Sequence, residues 1–169
     1  MSATFRVPIT QGGFAVVDEA DRPLVDGLKW SLNGSGYAQH CRFEGGVAIL
    51  RVIMHRLLMA PKAGLVVDHI NGDRLDNRRC NLRVCTNAEN SRNRRPSKNA
   101  PFGYKGVRAS GKSRFAAVVW LDNRSHKIGT FASAEEAARA YDEVIRVHHG
   151  AFARLNFPQI PAPLSGAST

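Results

Sequence analysis

An aspartate and a histidine stand side by side, Asp68 and His69, at the end of the apolar run Leu65, Val66, Val67, and two asparagines follow in order, Asn81 and Asn90. A neutral imidazole, with an unperturbed pKa of about 6.5, can take a proton from water at neutral pH. A carboxylate and an amide carbonyl are hard oxygen donors of the kind that hold Mg²⁺ or a similar divalent ion. Together such groups can make a nucleophile and neutralise an anionic ester, the two requirements of phosphodiester hydrolysis, with His69 as general base and Asp68 and Asn90 on the metal. Each residue also has a plainer reading. Asp beside Gly or Asn is turn chemistry and a loop Asn closes Asx turns, the reading preferred for Asp73, Asp76 and Asn77. For Asp68, His69, Asn81 and Asn90 as an ordered set the turn reading fails, because it accounts for neither the adjacent Asp-His pair nor a capped helix carrying Asn90.

The elements that must position these groups follow from local signals. Residues 65–67 read as a strand that delivers Asp68 and His69 at its end, 71–80 as a polar loop and 82–85 as a second strand. Thr86 and Glu89 have capping-box spacing, so a helix is expected from just after Thr86 to about Arg95, with Asn90 one turn in. Upstream, short alternating runs at 14–17, 36–39 and 47–50 between Gly- or Asp-rich turns predict antiparallel hairpins. Residues 51–59 have apolar side chains at helical spacing, ended by Pro61, and His55 within them reads as a packed structural histidine ahead of a catalytic one.

Charge narrows the partner. The chain of 169 residues carries a formal net charge of +10. Residues 1–50 hold 4 basic and 5 acidic side chains, 51–100 hold 11 and 4, and 101–169 hold 9 and 5, so the basic surface begins after the first third. Nucleic acid is the leading partner, ahead of a membrane surface. No apolar run is long enough to span a bilayer, and residues 1–13 lack the apolar stretch of a signal peptide. Three cysteines without a paired spacing indicate neither a disulfide framework nor a structural zinc, Cys80 and Cys85 having no second pair to join. The segment 91–101 combines a basic run with two prolines and reads as a linker, or as a solvated basic loop, while 159–169 is expected to be disordered.

The stretch from His55 to Asn90 resembles an HNH endonuclease of the phage homing type, with His69 as the first H, Asn81 as the N and Asn90 in the third position, as in the HNN subgroup. The resemblance implies a ββα-metal nuclease fold, a divalent metal with Mg²⁺ foremost, and the roles already assigned to His69, Asp68 and Asn90. It further implies that Asn81 does not touch substrate but holds the loop so that His69 is aimed. Arg78 and Arg83 could steady phosphate oxygens, with a solvated surface role weighing equally.

Downstream, strands are expected at 103–108, 114–121 and 126–131, with a turn at 122–125. Alternation sets Arg114, Ala116, Val118 and Trp120 on one face of the middle strand and Phe115, Ala117, Val119 and Leu121 on the core face. Ser133 and Glu136 open an Ala-rich helix through about His148, with Gly150 as its stop. One helix on a three-stranded antiparallel sheet leaves the other face free, cationic and carrying an indole. Such a face can enter the major groove of DNA or simply meet water. YKGVR, RFAAVVW, HKIGTF, SAEEAARAYDEV and LNFP resemble the plant Apetala-two or ethylene-response-factor (ERF) DNA-binding domain. By motif position the DNA-facing residues would be Lys105, Arg108, Arg114, Trp120 and Lys127.

The expected fold class is therefore α+β. An HNH nuclease domain spans 1–95 (hairpins, then a ββα-metal core at 65–95), a basic Pro-containing linker spans 96–102, an ERF-type domain spans 103–158, and a tail follows. The expected function is a site-directed, metal-dependent endonuclease on double-stranded DNA, in the cytoplasm of a bacterial or phage-infected cell. With one site per chain a monomer would nick, and a double-strand break would need a second protomer or a second event, so the oligomeric state is open. A DNA-binding regulator with an inactive nuclease module is the first rival. An RNA-binding protein is the second, disfavoured because Trp120 is the one strong aromatic candidate on the sheet face.

Overall fold

Alternating apolar side chains near the start of the chain build a hairpin. In the computed structural model, which describes residues 3–97 and 100–158, β1 (Thr4–Pro8) pairs antiparallel with β2 (Phe14–Asp18). The chain divides into two compact units, residues 1–93 and 94–169. It is a mixed α/β protein of small antiparallel sheets and few helices. No helix among the described residues is long and apolar enough to cross a membrane.

In the first unit a one-turn helix α1 (Arg22–Val25) leads to a three-stranded sheet of β3 (Trp30–Leu32), β4 (Ala38–Glu44) and β5 (Val47–Ile53). Helix α2 (Met54–Met59) follows, and β6 (Val66–His69) pairs with β7 (Leu82–Cys85) before α3 (Asn87–Arg92). The helix expected over 51–59 starts three residues late, because β-branched Val52 and Ile53 extend β5 against His40 and Gln39. It ends at Ala60, which takes a left-handed conformation (φ 40°) just before Pro61. The core joins Val7, Val17, Val25, Trp30, Met54 and Leu58, and the Trp30 indole N–H, too deep to reach water, donates to the Val25 carbonyl at 2.9 Å. Helix α3 begins with both halves of the expected capping box, the Glu89 N–H donating to Thr86 Oγ1 and the Thr86 N–H to Glu89 Oε2. It stops at Arg92 instead of Arg95, because Asn93 turns its side chain back onto β6.

In the second unit β8 (Val107–Ala109), β9 (Phe115–Leu121) and β10 (Arg124–Phe131) form one antiparallel sheet with β9 central, and α4 (Ala134–His149) lies across it. Ala117 and Val119 of β9 pack on Ala137, Ala138, Tyr141 and Ile145 of α4. The first strand is shorter than the expected 103–108, since Gly103 and Gly106 both hold positive φ. At Gly106 a Cβ would fall 2.1 Å from the Tyr141 ring, so only glycine lets the backbone lie there. The turn after β9 is also tighter than expected: Asp122 and Asn123, both at positive φ, close a two-residue hairpin, and Arg124 already pairs with Leu121. Buried Asp142 accepts from the N–H groups of Asn156 and Phe157 at 2.9 and 2.8 Å, which ties the chain after α4 back onto the helix.

Candidate active site

Antiparallel pairing puts residues opposite one another on the same face, and β6 with β7 sets Asp68 opposite Arg83 and His69 opposite Leu82. The Arg83 guanidinium donates to Asp68 Oδ2 from Nη2 at 2.6 Å and from Nε at 2.9 Å. The Asn93 amide lies 3.1 and 3.0 Å from the two Asp68 oxygens and 3.0 Å from the His69 carbonyl. Arg83 is mostly buried, its side chain 15% exposed, whereas that of Arg78 is 40% exposed. Arg78 donates twice to Asp76 at 2.7 Å, which holds the Asp76 carboxyl below the usual carboxylate range. Each arginine thus pairs with a buried carboxylate of the first unit.

The loop between the strands is closed by Asn81. Its Oδ1 accepts from the Asn71 N–H at 3.0 Å, its Nδ2 donates to the Asp76 carbonyl at 2.7 Å, and its carbonyl accepts from the Ile70 N–H at 2.9 Å. Asp73 behaves as turn chemistry demands, its Oδ1 accepting from the Leu75 N–H at 3.0 Å. Asn77 does not: its side chain is fully buried and reaches His69, Oδ1 lying 3.3 Å from Nε2. The loop is anchored from outside as well, the Arg79 N–H donating to Asp18 at 2.8 Å and its guanidinium to Asp21 at 2.7 Å.

His69 is buried beside two rings, Tyr37 at 5.7 Å and His55 at 5.0 Å between centroids, and those two are 4.8 Å apart. Burial lowers the His69 pKa, against the opposing pull of the Asn77 hydrogen bond and of Asp68. The imidazole is therefore neutral at neutral pH, the form that can accept a proton. His55 is pushed down to about 3, chiefly by burial and then by His69 and Arg56. In the unfolded chain the same group titrates at about 6.5, so between those values the unfolded state binds more protons. Stability is thus complete above about pH 6.5 and lost as the pH falls toward 3, with a slope of at most about 1.4 kcal/mol per pH unit from this group. With Trp120 replaced by Phe, the urea midpoint followed through Trp30, which sits in the core of the same unit, is expected to drop between pH 7 and pH 4.5, and to drop less in His55→Phe. A midpoint equally pH-dependent in both proteins would remove His55 as the cause.

Asn90 sits in α3, half-buried, and its N–H donates to the Thr86 carbonyl at 3.0 Å. It lies three positions before Asn93, the residue after α3 whose amide meets Asp68. Among the described residues no group of three or more His, Cys, Asp or Glu converges to hold a metal. Asp68 adjoins His69 at the end of β6 and Asn90 follows in α3, and a carboxylate with an amide oxygen is a hard pair of the kind that suits Mg²⁺. Sequence reasoning missed four residues around His69: Tyr37, Asn77, Asn93 and Arg74. Arg74 stacks 5.0 Å over Tyr37 and donates to the Ser35 carbonyl, with no carboxylate partner among the described residues.

In the second unit, pairing sets Arg108 opposite Ala116 and Lys127 opposite Val118. Both therefore share a face with Trp120, which is 63% exposed. Arg114 precedes β9 in the same alternation and donates to the Thr130 carbonyl at 3.2 Å. Lys105 departs from its expected place: it lies before β8, half-buried, with its ammonium on the Arg94 carbonyl and its pKa lowered to about 8, chiefly by burial.

Residues 60–92 match the family model described as HNH endonuclease. An uncharacterized HNH endonuclease of Acanthamoeba polyphaga mimivirus is 32% identical over 148 residues, spanning 86% of this chain and 76% of its own. The chain belongs to the HNH endonuclease family. The endonuclease is also similar to a solved structure of DNA binding and cleavage by the HNH homing endonuclease I-HmuI, at 22% identity and a TM-score of 0.34 over 85% of this chain and 80% of that one. Over shorter stretches it is similar to plant proteins. Dehydration-responsive element-binding protein 2A of Arabidopsis thaliana is 39% identical over 66 residues, 38% of this chain and 20% of the plant protein. Ethylene-responsive transcription factor 3 of Nicotiana tabacum is 47% identical over 58 residues, 32% of this chain and 25% of the plant protein.

Proposed function

We propose that this HNH endonuclease is a divalent-metal-dependent, site-directed nuclease of double-stranded DNA, of the homing type, whose first unit carries a ββα-metal site and whose second unit reads DNA. The observation that carries the reading is the buried, neutral His69 beside Asp68 at one strand end. His69 takes the proton of the attacking water. Asn81 holds the loop that aims it. Asp68 and Asn90 would hold the metal, Mg²⁺ foremost. When bound, that ion supplies positive charge to the scissile phosphate and the departing 3′ oxygen. Arg74, stacked on Tyr37 beside His69, joins Arg78 and Arg83 as a cation that could meet a phosphate oxygen.

The second unit, compared with ERF-type domains, offers Arg108, Arg114, Trp120 and Lys127 on its free sheet face. Tethering such a reader to a small hydrolytic site raises the effective concentration of the site at its target. Replacing Arg108 and Lys127 together by alanine is expected to weaken duplex binding and to flatten the slope of log K against log[salt] by about two units if both meet phosphate. An unchanged slope would show that they do not.

Supercoiled plasmid incubated with the purified protein tests the proposal, with nicking or linearisation expected in Mg²⁺ and not without it. The other reading is a DNA-binding regulator with a silent nuclease unit, favoured by the Arg83 guanidinium seated on Asp68. Retained duplex binding without cleavage of any DNA that carries the bound site would favour it.

A further inference from the structure

Asn77 sits in a loop whose composition speaks only of turns, yet no part of it meets solvent. A buried amide has to place both of its ends, and the neighbours of Asn77 leave one way to do so. Its Nδ2 lies 3.1 Å from the Leu75 carbonyl, which can only accept, so the nitrogen end must point there. The oxygen end then points at His69 Nε2, 3.3 Å away. An amide oxygen also only accepts, so Nε2 must carry the proton. A neutral imidazole has one N–H, and the lone pair therefore falls on Nδ1.

The arrangement is held from outside the loop. The Asn77 N–H donates to the Val16 carbonyl at 2.7 Å, and the Val16 N–H donates to the Leu75 carbonyl at 2.8 Å. Strand β2 thus grips the residues on either side of Asp76 and fixes where the amide can turn. The N-terminal hairpin, remote in sequence from His69, reaches the imidazole through this one side chain.

We infer that Asn77 is a positioning residue that locks His69 in the Nε2–H tautomer and leaves Nδ1 as the basic nitrogen. The inference rests on the reading of His69 as general base only for its effect on rate, since the tautomer is a property of the protein itself.

The test labels histidine nitrogens and reads the His69 tautomer by two-bond proton–nitrogen correlation in the intact protein, in parallel with single-turnover plasmid nicking and duplex affinity. Wild type is expected to show Nε2–H alone. Asn77→Leu, close in volume but without an acceptor, is expected to populate both tautomers and to lose activity on the order of ten- to a hundredfold, the usual size for loss of a group that orients a reacting ligand, with duplex affinity unchanged. Asn77→Asp, which keeps an acceptor toward Nε2 but has no donor for the Leu75 carbonyl, is expected to keep the proton on Nε2 and to recover only part of the rate. Nδ1–H in wild type, or Nε2–H alone in a folded Asn77→Leu, would overturn the inference. Should Asn77→Leu fail to fold, Asn77→Asp decides, and loss of Nε2–H there overturns it. Absence of cleavage by wild type with the expected tautomers would count against the nuclease reading and leave the role of Asn77 standing.

Discussion

His69→Ala is expected to lower the plasmid cleavage rate by about 10²- to 10⁴-fold, the range in which a positioned general base contributes, while duplex affinity stays within about twofold. The side chain lies inside the unit, beside Tyr37 and His55, so it adds little to any surface that DNA could touch. Its neighbour cannot take over the role, because a His55 held at about 3 is a poor base. Truncation leaves a small cavity, and Trp30 fluorescence, read with Trp120 replaced by Phe, distinguishes loss of chemistry from loss of fold, since that indole lies in the core of the first unit. Equal loss of cleavage and binding with a native Trp30 signal would move His69 from the reaction to the DNA contact. Unchanged cleavage would remove it from both.

Metal removal is the second large effect. Chelation by EDTA is expected to abolish turnover completely, with the fold retained and activity restored on adding excess Mg²⁺. The physical ground is the donor set, since Asp68 and Asn90 offer hard oxygens of the kind that hold Mg²⁺. Asp68→Ala should also silence the enzyme, but it is the less clean experiment. It would leave the Arg83 guanidinium, whose side chain is 15% exposed, without its carboxylate, and removing one partner of a buried pair costs on the order of 3–5 kcal/mol. Chelation leaves that pair alone. Cleavage that persists in EDTA would exclude the metal mechanism, whatever Asp68→Ala does.

The parts of the fold that were legible in the sequence are those set by neighbours along the chain. Thr86 and Glu89 announce α3 because the box closes within one turn. Alternation in β9 announces which side chains face α4, because a strand has no other way to arrange them. Boundaries failed where a distant partner competed with the local pattern. Val52 and Ile53 joined β4 instead of α2, and Asn93 left the helical path for Asp68, 25 residues back.

For the site, the sequence by itself determined the chemical inventory: an adjacent Asp and His at a strand end, an Asn to close the loop, a capped helix carrying Asn90, and basic charge in the later two thirds. Tertiary structure alone decided how those groups are disposed. It paired Arg78 and Arg83 with buried carboxylates, buried His69 deeply enough to keep it neutral, and made Asn77 a partner of the imidazole. Hydrogen bonds and desolvation act over a few ångströms regardless of sequence separation. The grip of Val16 on Asn77 has no counterpart in any local pattern.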